Sequence, residues 1–414
     1  MHVTHRPDLH QRASRYLHYL CTELSTRQTG SPDNQAATDF FASNIKRFGF
    51  EVEKSYFDCL AWNPGDVSLV VSGKQVEAFI SPYSLGVEVD APLIHVSNLE
   101  QLQAAEMEGK VALLTGGLAR EQIMPKHFPF YNPEQHQWII SILEEKKPLA
   151  LIAATGKDPQ LAGGVYPFPL FEDGDFDIPS VYIKDKDGTD LAVLKNPSVS
   201  LRIEAERIPS KGCNVIGRKG GVASPRLIFC AHIDSKPDTP GALDNAAGIA
   251  TLLLLAEQLQ YYTDGIPLEI LAFNGEDYYA ASGELEYLRT SLGAPKDVLL
   301  AINVDGAGYS KGHTAYSLYG VPDDQAQLIH ATLSAYPELI EGQQWYQSDH
   351  SLFIQQGIPC MAFTSDQFDM LWSEIAHTRA DRPEIVSVEK LVTLSDAFIE
   401  MVSTINHHIH FNHD

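Results

Sequence analysis

Apolar residues recur at three- and four-residue spacing through residues 9–24, at Leu17, Leu20, Cys21 and Leu24, and this predicts an amphipathic helix. Gly30-Ser-Pro-Asp33 interrupts the pattern, and a second helix over 34–48 follows with Phe40, Phe41, Ile45 and Phe48, stopped by Gly49. Residues 50–57 alternate as a strand does. From about 61 to 207 the chain turns to short β-branched runs at 67–71, 111–115, 149–154, 178–183 and 199–203, interrupted by one helix at 135–145. The segments 125–133 and 159–179, rich in Pro, Gly and aromatics, read as irregular loops. Beyond Asn214, strands at 226–231, 268–273, 299–304 and 359–364 alternate with helices at 245–262, 283–289, 324–335 and 388–407. Such alternation predicts an α/β fold with a mostly parallel central sheet flanked by helices. The expected organisation is a discontinuous domain of residues 1–60 and 208–414, with a mainly β domain of residues 61–207 inserted in it. No internal repeat or low-complexity tract is visible.

Composition narrows the classes of function. The 414 residues are 44% hydrophobic and 20% charged, a globular balance with material for a sizeable core. Thirty Lys+Arg against 54 Asp+Glu leave a formal charge of −24, which repels phosphate backbones and anionic lipid. Nucleic acid and membrane are therefore not expected as partners. No apolar run approaches the roughly 18 residues of a membrane helix, and residues 1–8 lack the apolar core of a signal peptide. The five cysteines are scattered without a CxxC pair and read as free thiols of a reducing compartment, so a cytoplasmic location is expected.

Ligands of open α/β sheets collect beyond the carboxyl ends of the strands, and there this chain places its chemistry. The strand at 226–231 delivers His232-Ile-Asp234-Ser235, and that at 268–273 delivers Asn274-Gly-Glu276-Asp277. The strand at 299–304 delivers Asp305-Gly-Ala-Gly308, and the loop after 359–364 delivers His377-Thr-Arg-Ala-Asp381. Pro240-Gly-Ala-Leu-Asp244 precedes the helix at 245. Taken singly, Asp244 reads as a helix N-cap, Asp305 as a turn residue, and either histidine as a satisfied polar group. Turn and cap chemistry does not explain why all of them meet at one sheet edge. Two histidines and three carboxylates exceed the three protein ligands of a single catalytic zinc. They suit two ions sharing a carboxylate, with Glu276 left over to take a proton from an acidified water.

The stretch Cys230 to Gln258, CAHIDSKPDTPGALDNAAGIATLLLLAEQ, resembles the co-catalytic dizinc exopeptidases. That family includes bacterial leucyl aminopeptidases, glutamate carboxypeptidase, glutaminyl cyclase and the transferrin receptor ectodomain. The likeness continues through Phe273-Asn-Gly-Glu-Asp277, Ile302-Asn-Val-Asp305, Ser348-Asp-His350 with Gly357-Ile-Pro359, and His377-Thr-Arg-Ala-Asp381. It implies a metal-dependent aminopeptidase acting on peptides with two divalent ions, zinc in the family. Asp244 would bridge the ions, His232 and Asp305 would complete one site, and Asp277 with His377 the other. Glu276 would be the general base, and Asp234 would orient His232 by accepting a ring N–H. The resemblance also implies a cis peptide between Asp244 and Asn245. The family usually has Glu-Glu where this chain has Glu276-Asp277, so the ion on Asp277 and His377 is expected to be the weaker one. Gly109-Lys-Val-Ala-Leu-Leu114, residues 149–154 and Ile178-Pro-Ser-Val181 resemble a protease-associated domain, which implies a part in access to the site rather than in chemistry.

The rivals are a cyclase-like acyltransferase or a carboxypeptidase on the same fold, and a non-enzymatic binding scaffold. The insertion argues against the cyclase, and the full complement of ligand types against the scaffold. Gly308-Tyr-Ser310-Lys-Gly312 matches a nucleophile elbow but lies past its strand with no helix following. Asp173-Gly-Asp-Phe-Asp177 begins like a calcium loop but has Ile178 at the sixth position. The terminal run from His407 to His413 reads as a helix end.

Overall fold

In the computed structural model the described residues are 6–411, apart from 25, 158–165, 222–224 and 264. Residues 1–5, read above for a leader, His413, and most of the first half of the 159–179 loop lie outside them. The N-terminal helix Arg6–His18 widens into a π turn, Tyr19–Glu23. The helix Pro32–Arg47 starts where Ser31 accepts from the Asn34 N–H at 3.1 Å, with Pro32 in its first turn.

The central sheet runs Leu339–Glu341, Thr314–Tyr319, Cys360–Ser365, Val298–Val304, Arg226–His232, Leu268–Phe273, Ser198–Lys219. Its middle four strands, from Cys360–Ser365 to Leu268–Phe273, are parallel, and antiparallel neighbours flank them. Both faces are covered, which is why these strands are unbroken apolar runs. The helix Ala247–Gln258 is apolar on every side because it is buried on every side, with the closing helix Val388–Phe411 packed over it. The strand Thr314–Tyr319 had no counterpart in the sequence pattern; it follows a turn of glycines and is only six residues long.

The most visible departure is a ribbon. Residues 50–57 and 67–71, expected as separate strands, form one strand, Glu51–Val71, paired antiparallel with Ser198–Lys219. Pro64 and Gly65 do not end it, because the register shifts between Pro64 and Val67 and takes up the missing donor in a bulge. The expected boundaries near 60 and 207 both fall inside this ribbon.

The ribbon carries a second sheet in which Val87–Val96, Val111–Leu114, Ala150–Thr155 and Ser180–Lys184 are parallel neighbours. Helices Leu99–Ala104, Glu134–Lys146 and Asp185–Ala192 lie between and after these strands. The inserted stretch is therefore α/β and not mainly β. The missed helices are six and eight residues long, too short to show a period; Asn98 caps the first by accepting from the Gln101 N–H at 2.9 Å. Separate apolar cores cover its two faces, one around Leu102, Ile139 and Leu143, the other around Leu69, Leu191 and Leu201. Among the described residues no helix is long and apolar enough to cross a membrane.

Candidate metal centre

The strand Arg226–His232 lies between the strands that follow it in sequence, Leu268–Phe273 on one side and Val298–Val304 on the other. Chain connections diverge at such a reversal point and leave a crevice at the strands' carboxyl ends. His232 is the last residue of its strand, and Asp305 immediately follows Val298–Val304. Glu276 and Asp277 follow Leu268–Phe273 through a turn at Gly275, whose φ of 133° is open to glycine alone. Asp244 enters from the segment before the buried helix with non-helical torsions and a cis peptide to Asn245. His377 follows the helix Phe368–Glu374 in the left-handed region, with φ 58°.

These residues converge. His232 Nε2 lies 3.1 Å from Asp244 Oδ1 and 3.7 Å from Asp305 Oδ1. His377 Nε2 lies 3.0 Å from Asp244 Oδ2 and 3.3 Å from Asp277 Oδ1. Asp244 thus presents one oxygen to each cluster. Glu276 stands farther back, with Oε2 4.0 Å from His232 Nε2. His232, Asp244, Asp277 and Asp305 are buried, whereas the Glu276 and His377 side chains are 24% and 26% exposed, so the centre opens to solvent on their side.

Both nitrogens of His232, both oxygens of Asp244 and of Asp305, and Asp277 Oδ2 are buried without a hydrogen-bond partner. Such orphans cost roughly 1–3 kcal/mol each unless something satisfies them. Within the cluster, ligand atoms of His232, Asp244 and Asp305, and of Asp244, Asp277 and His377, lie within 4.8 Å of one another. A mixed imidazole and carboxylate donor set of this kind fits divalent metal ions. A third grouping joins His232, Glu276 and Asp277.

Without metal, protons hold the cluster together. Burial would lower both histidines, but the carboxylates around them prevail: His232 is raised well above its ordinary value and His377 to about 10. Burial would raise Asp244, yet the two imidazoliums hold its carboxyl below the usual range. Glu276 goes the other way: burial, reinforced by the charges of Asp277, Asp305 and Asp244, raises its pKa.

Two further residues, Asp381 and Arg27, support the cluster. Asp381 accepts from the backbone N–H groups of Leu243 at 2.7 Å and Asp244 at 3.1 Å, fixing the shared carboxylate from behind. Burial and the charge of Asp244 push Asp381 up to about 7. The buried Arg27 guanidinium donates to the carbonyls of Leu20, Ile233, Pro240 and Gly241 and ties the N-terminal segment to both sides of the site. Asp381 closes the His377 motif and so had a sequence signal; Arg27 had none.

The expected contact of Asp234 with His232 changes. Asp234 Oδ1 is 3.6 Å from His232 Nδ1, too far for a hydrogen bond. Its oxygens instead accept from the N–H groups of Gly275 at 2.9 Å and Asp277 at 3.0 Å and from Thr29 Oγ1 at 2.9 Å, so it faces His232 as a counter-charge. Asp244 caps no helix; Asn245 does, accepting from the Gly248 N–H at 3.1 Å. His350 is a buried structural residue, its Nε2 2.8 Å from the Trp345 carbonyl oxygen, and burial lowers its pKa to about 4. The decoys stay outside the site: Ser310 is exposed with a strand following it, and Asp173 accepts from the N–H groups of Lys126 and Asp175.

Residues 214–402 match the profile of peptidase family M28. The probable lipoprotein aminopeptidase LpqL of Mycobacterium tuberculosis is 27% identical over 68% of this chain. The chain spans about half, 54%, of that protein's own length. An aminopeptidase from Aneurinibacillus sp. strain AM-1 superposes with a TM-score of 0.74 at 22% identity, over 95% of this chain and 93% of its own. The zinc aminopeptidase BSAP of Bacillus subtilis gives 0.74 at 20% identity, over 96% and 95%. At these identities the two structures share the fold.

Proposed function

From a chain whose residues 214–402 match the model of peptidase family M28, we propose a metal-dependent aminopeptidase that removes N-terminal residues from peptides. The observation that carries the reading is the pair of orphaned, buried ligand clusters that share Asp244. Two divalent ions, zinc in this reading, would be held by His232, Asp244 and Asp305 and by Asp244, Asp277 and His377; when bound they polarise the scissile carbonyl and acidify water. The chain's own residues do the rest. Glu276, partly open to the crevice, takes a proton from the attacking water and returns it to the amine as the C–N bond breaks. Asp234 faces His232 as a counter-charge, and Asp381 holds the backbone at Asp244 in place.

The inserted stretch, taken as residues 61–207 and protease-associated-like in this reading, shapes access. Its two separate cores support treating it as a unit, and among the described residues it adds no side chain to the ligand clusters. A row of rings leads away from His377, with Trp372 at 5.8 Å, Phe368 at 5.8 Å from Trp372, and Trp345 at 5.3 Å from Phe368. It supports an apolar side chain at the substrate's first residue.

A substrate panel tests this. Zinc-loaded protein should cleave aminoacyl amides with Leu or Phe first, and should leave their N-acetylated forms and carboxyl-terminal residues untouched. Release of carboxyl-terminal residues, or cyclisation of an N-terminal glutamine, would replace the aminopeptidase reading by the corresponding rival.

A further inference from the structure

The Lys236 ammonium lies beside Asp277 and has no part in the hydrolytic steps above. It is 2.7 Å from Glu172 Oε1, donates at 2.8 Å to the Asp277 carbonyl, and stands 3.8 Å from Asp277 Oδ1. Its side chain is 19% exposed and that of Glu172 only 7%. Glu172 belongs to the inserted stretch, and its other oxygen accepts from Gln122 Nε2 at 3.2 Å in the same stretch. The loop bearing it is anchored on the catalytic side. A Cβ at Gly174 would come within 2.4 Å of the Tyr279 hydroxyl oxygen, and at the end of the inserted stretch Arg207 holds the same loop, donating to the Phe176 carbonyl at 2.5 Å while pairing with Asp177 at 2.7 Å.

A cation so close to a metal-binding carboxylate is a competitor for it. A shift of about 1 Å would bring the ammonium to the N⁺–H···O⁻ distance of a direct charge-assisted bond. The oxygen it would reach, Asp277 Oδ1, also faces His377 Nε2 at 3.3 Å, while Oδ2 has no hydrogen-bond partner to fix the carboxylate's orientation. The carboxylate that already engages the ammonium, at 2.7 Å, is Glu172. We propose that Glu172 is a positioning residue: by engaging Lys236 it keeps the Asp277 carboxylate free for a metal ion. The inserted stretch then controls occupancy of the Asp277–His377 position without supplying a ligand. The inference rests on the metallopeptidase reading and deepens it.

The test is zinc titration of the full-length metal-free protein against a chromophoric chelator, for wild type, Glu172→Gln and Glu172→Gln/Lys236→Met. Wild type should bind two ions. Glu172→Gln should bind the second about 10–100-fold more weakly, the usual effect of losing a group that supports a metal ligand. The double variant should recover wild-type affinity, because the competitor is gone. A bridge that only holds the fold together would lower the melting temperature of the metal-free protein and would not be rescued by removing Lys236. Should Glu172→Gln not fold, Glu172→Asp, which withdraws the charge by one methylene, carries the same expectation and the same rescue. Unchanged affinity in the single variant, or no recovery in the double, overturns the inference while two ions on wild type leave the metallopeptidase reading standing. No zinc on wild type overturns both.

Discussion

Glu276→Gln separates chemistry from metal binding. The substitution keeps size and shape, and it touches the one acidic side chain of the cluster that stands back from the close contacts. Glu276 Oε2 is 4.0 Å from His232, whereas the contacts that Asp244 makes with the two histidines are 3.0 and 3.1 Å. Both ions should therefore remain, with affinity changed by less than about tenfold. Turnover should fall steeply, because a positioned base contributes about 10²–10⁴-fold, or about 2.7–5.4 kcal/mol of transition-state free energy. Glutamine cannot take the proton, and KM should move little because no binding contact is lost. The metal-free variant should also melt higher than wild type at neutral pH, since folding raises the pKa of Glu276 through burial and the charges of Asp277, Asp305 and Asp244, a cost the neutral amide does not carry. The assay is steady-state hydrolysis of a leucine amide beside metal analysis of the same samples. Undiminished kcat, or a loss of activity that parallels a loss of metal, would refute the assignment.

Asp277→Asn should lower occupancy at the Asp277–His377 position and leave the other ion in place, and in wild type a chelator should strip that position first; stoichiometry along a chelator series reads both. With His377 raised to about 10 and His232 raised as well, both imidazoles are protonated at neutral pH in the metal-free protein. Metal uptake must then displace protons, so affinity should rise with pH, by up to about tenfold per unit for each proton displaced; calorimetry in buffers of different ionisation heat measures the release. All five cysteines are buried, and burial lifts Cys21 to about 11 and Cys59 and Cys360 to about 12. A thiol reagent at pH 8 should label fewer than about one per native chain, against every thiol after unfolding.

What could be read from the sequence follows physical range. The strands Arg226–His232 and Leu268–Phe273 are legible because burial on both faces demands unbroken apolar runs, and His232, Glu276, Asp277 and Asp305 are legible because they end or follow such runs. The short helix Leu99–Ala104 and strand Thr314–Tyr319 carry too few residues to display a period. Pro64 and Gly65 look like a strand end, and only pairing with the distant Ser198–Lys219 strand makes them a bulge. Asp244 and Asn245 are equally plausible caps by residue type; the local backbone decides for Asn245 and frees Asp244. Lys236 and Glu172 are silent in the sequence because each acquires meaning only from the other, 64 positions away. The buried acids Glu284 and Asp349, both raised by burial and neither with a hydrogen-bonded oxygen, were invisible for the same reason.

The most direct test of the central claim is an anomalous-scattering map of the zinc-loaded protein, recorded at the zinc edge. Two peaks are expected, one among His232, Asp244 and Asp305 and one among Asp244, Asp277 and His377, with Asp244 contacting both. A single peak, or Asp277 turned away from any ion in metal-replete protein, would contradict the two-metal account and favour a one-metal enzyme.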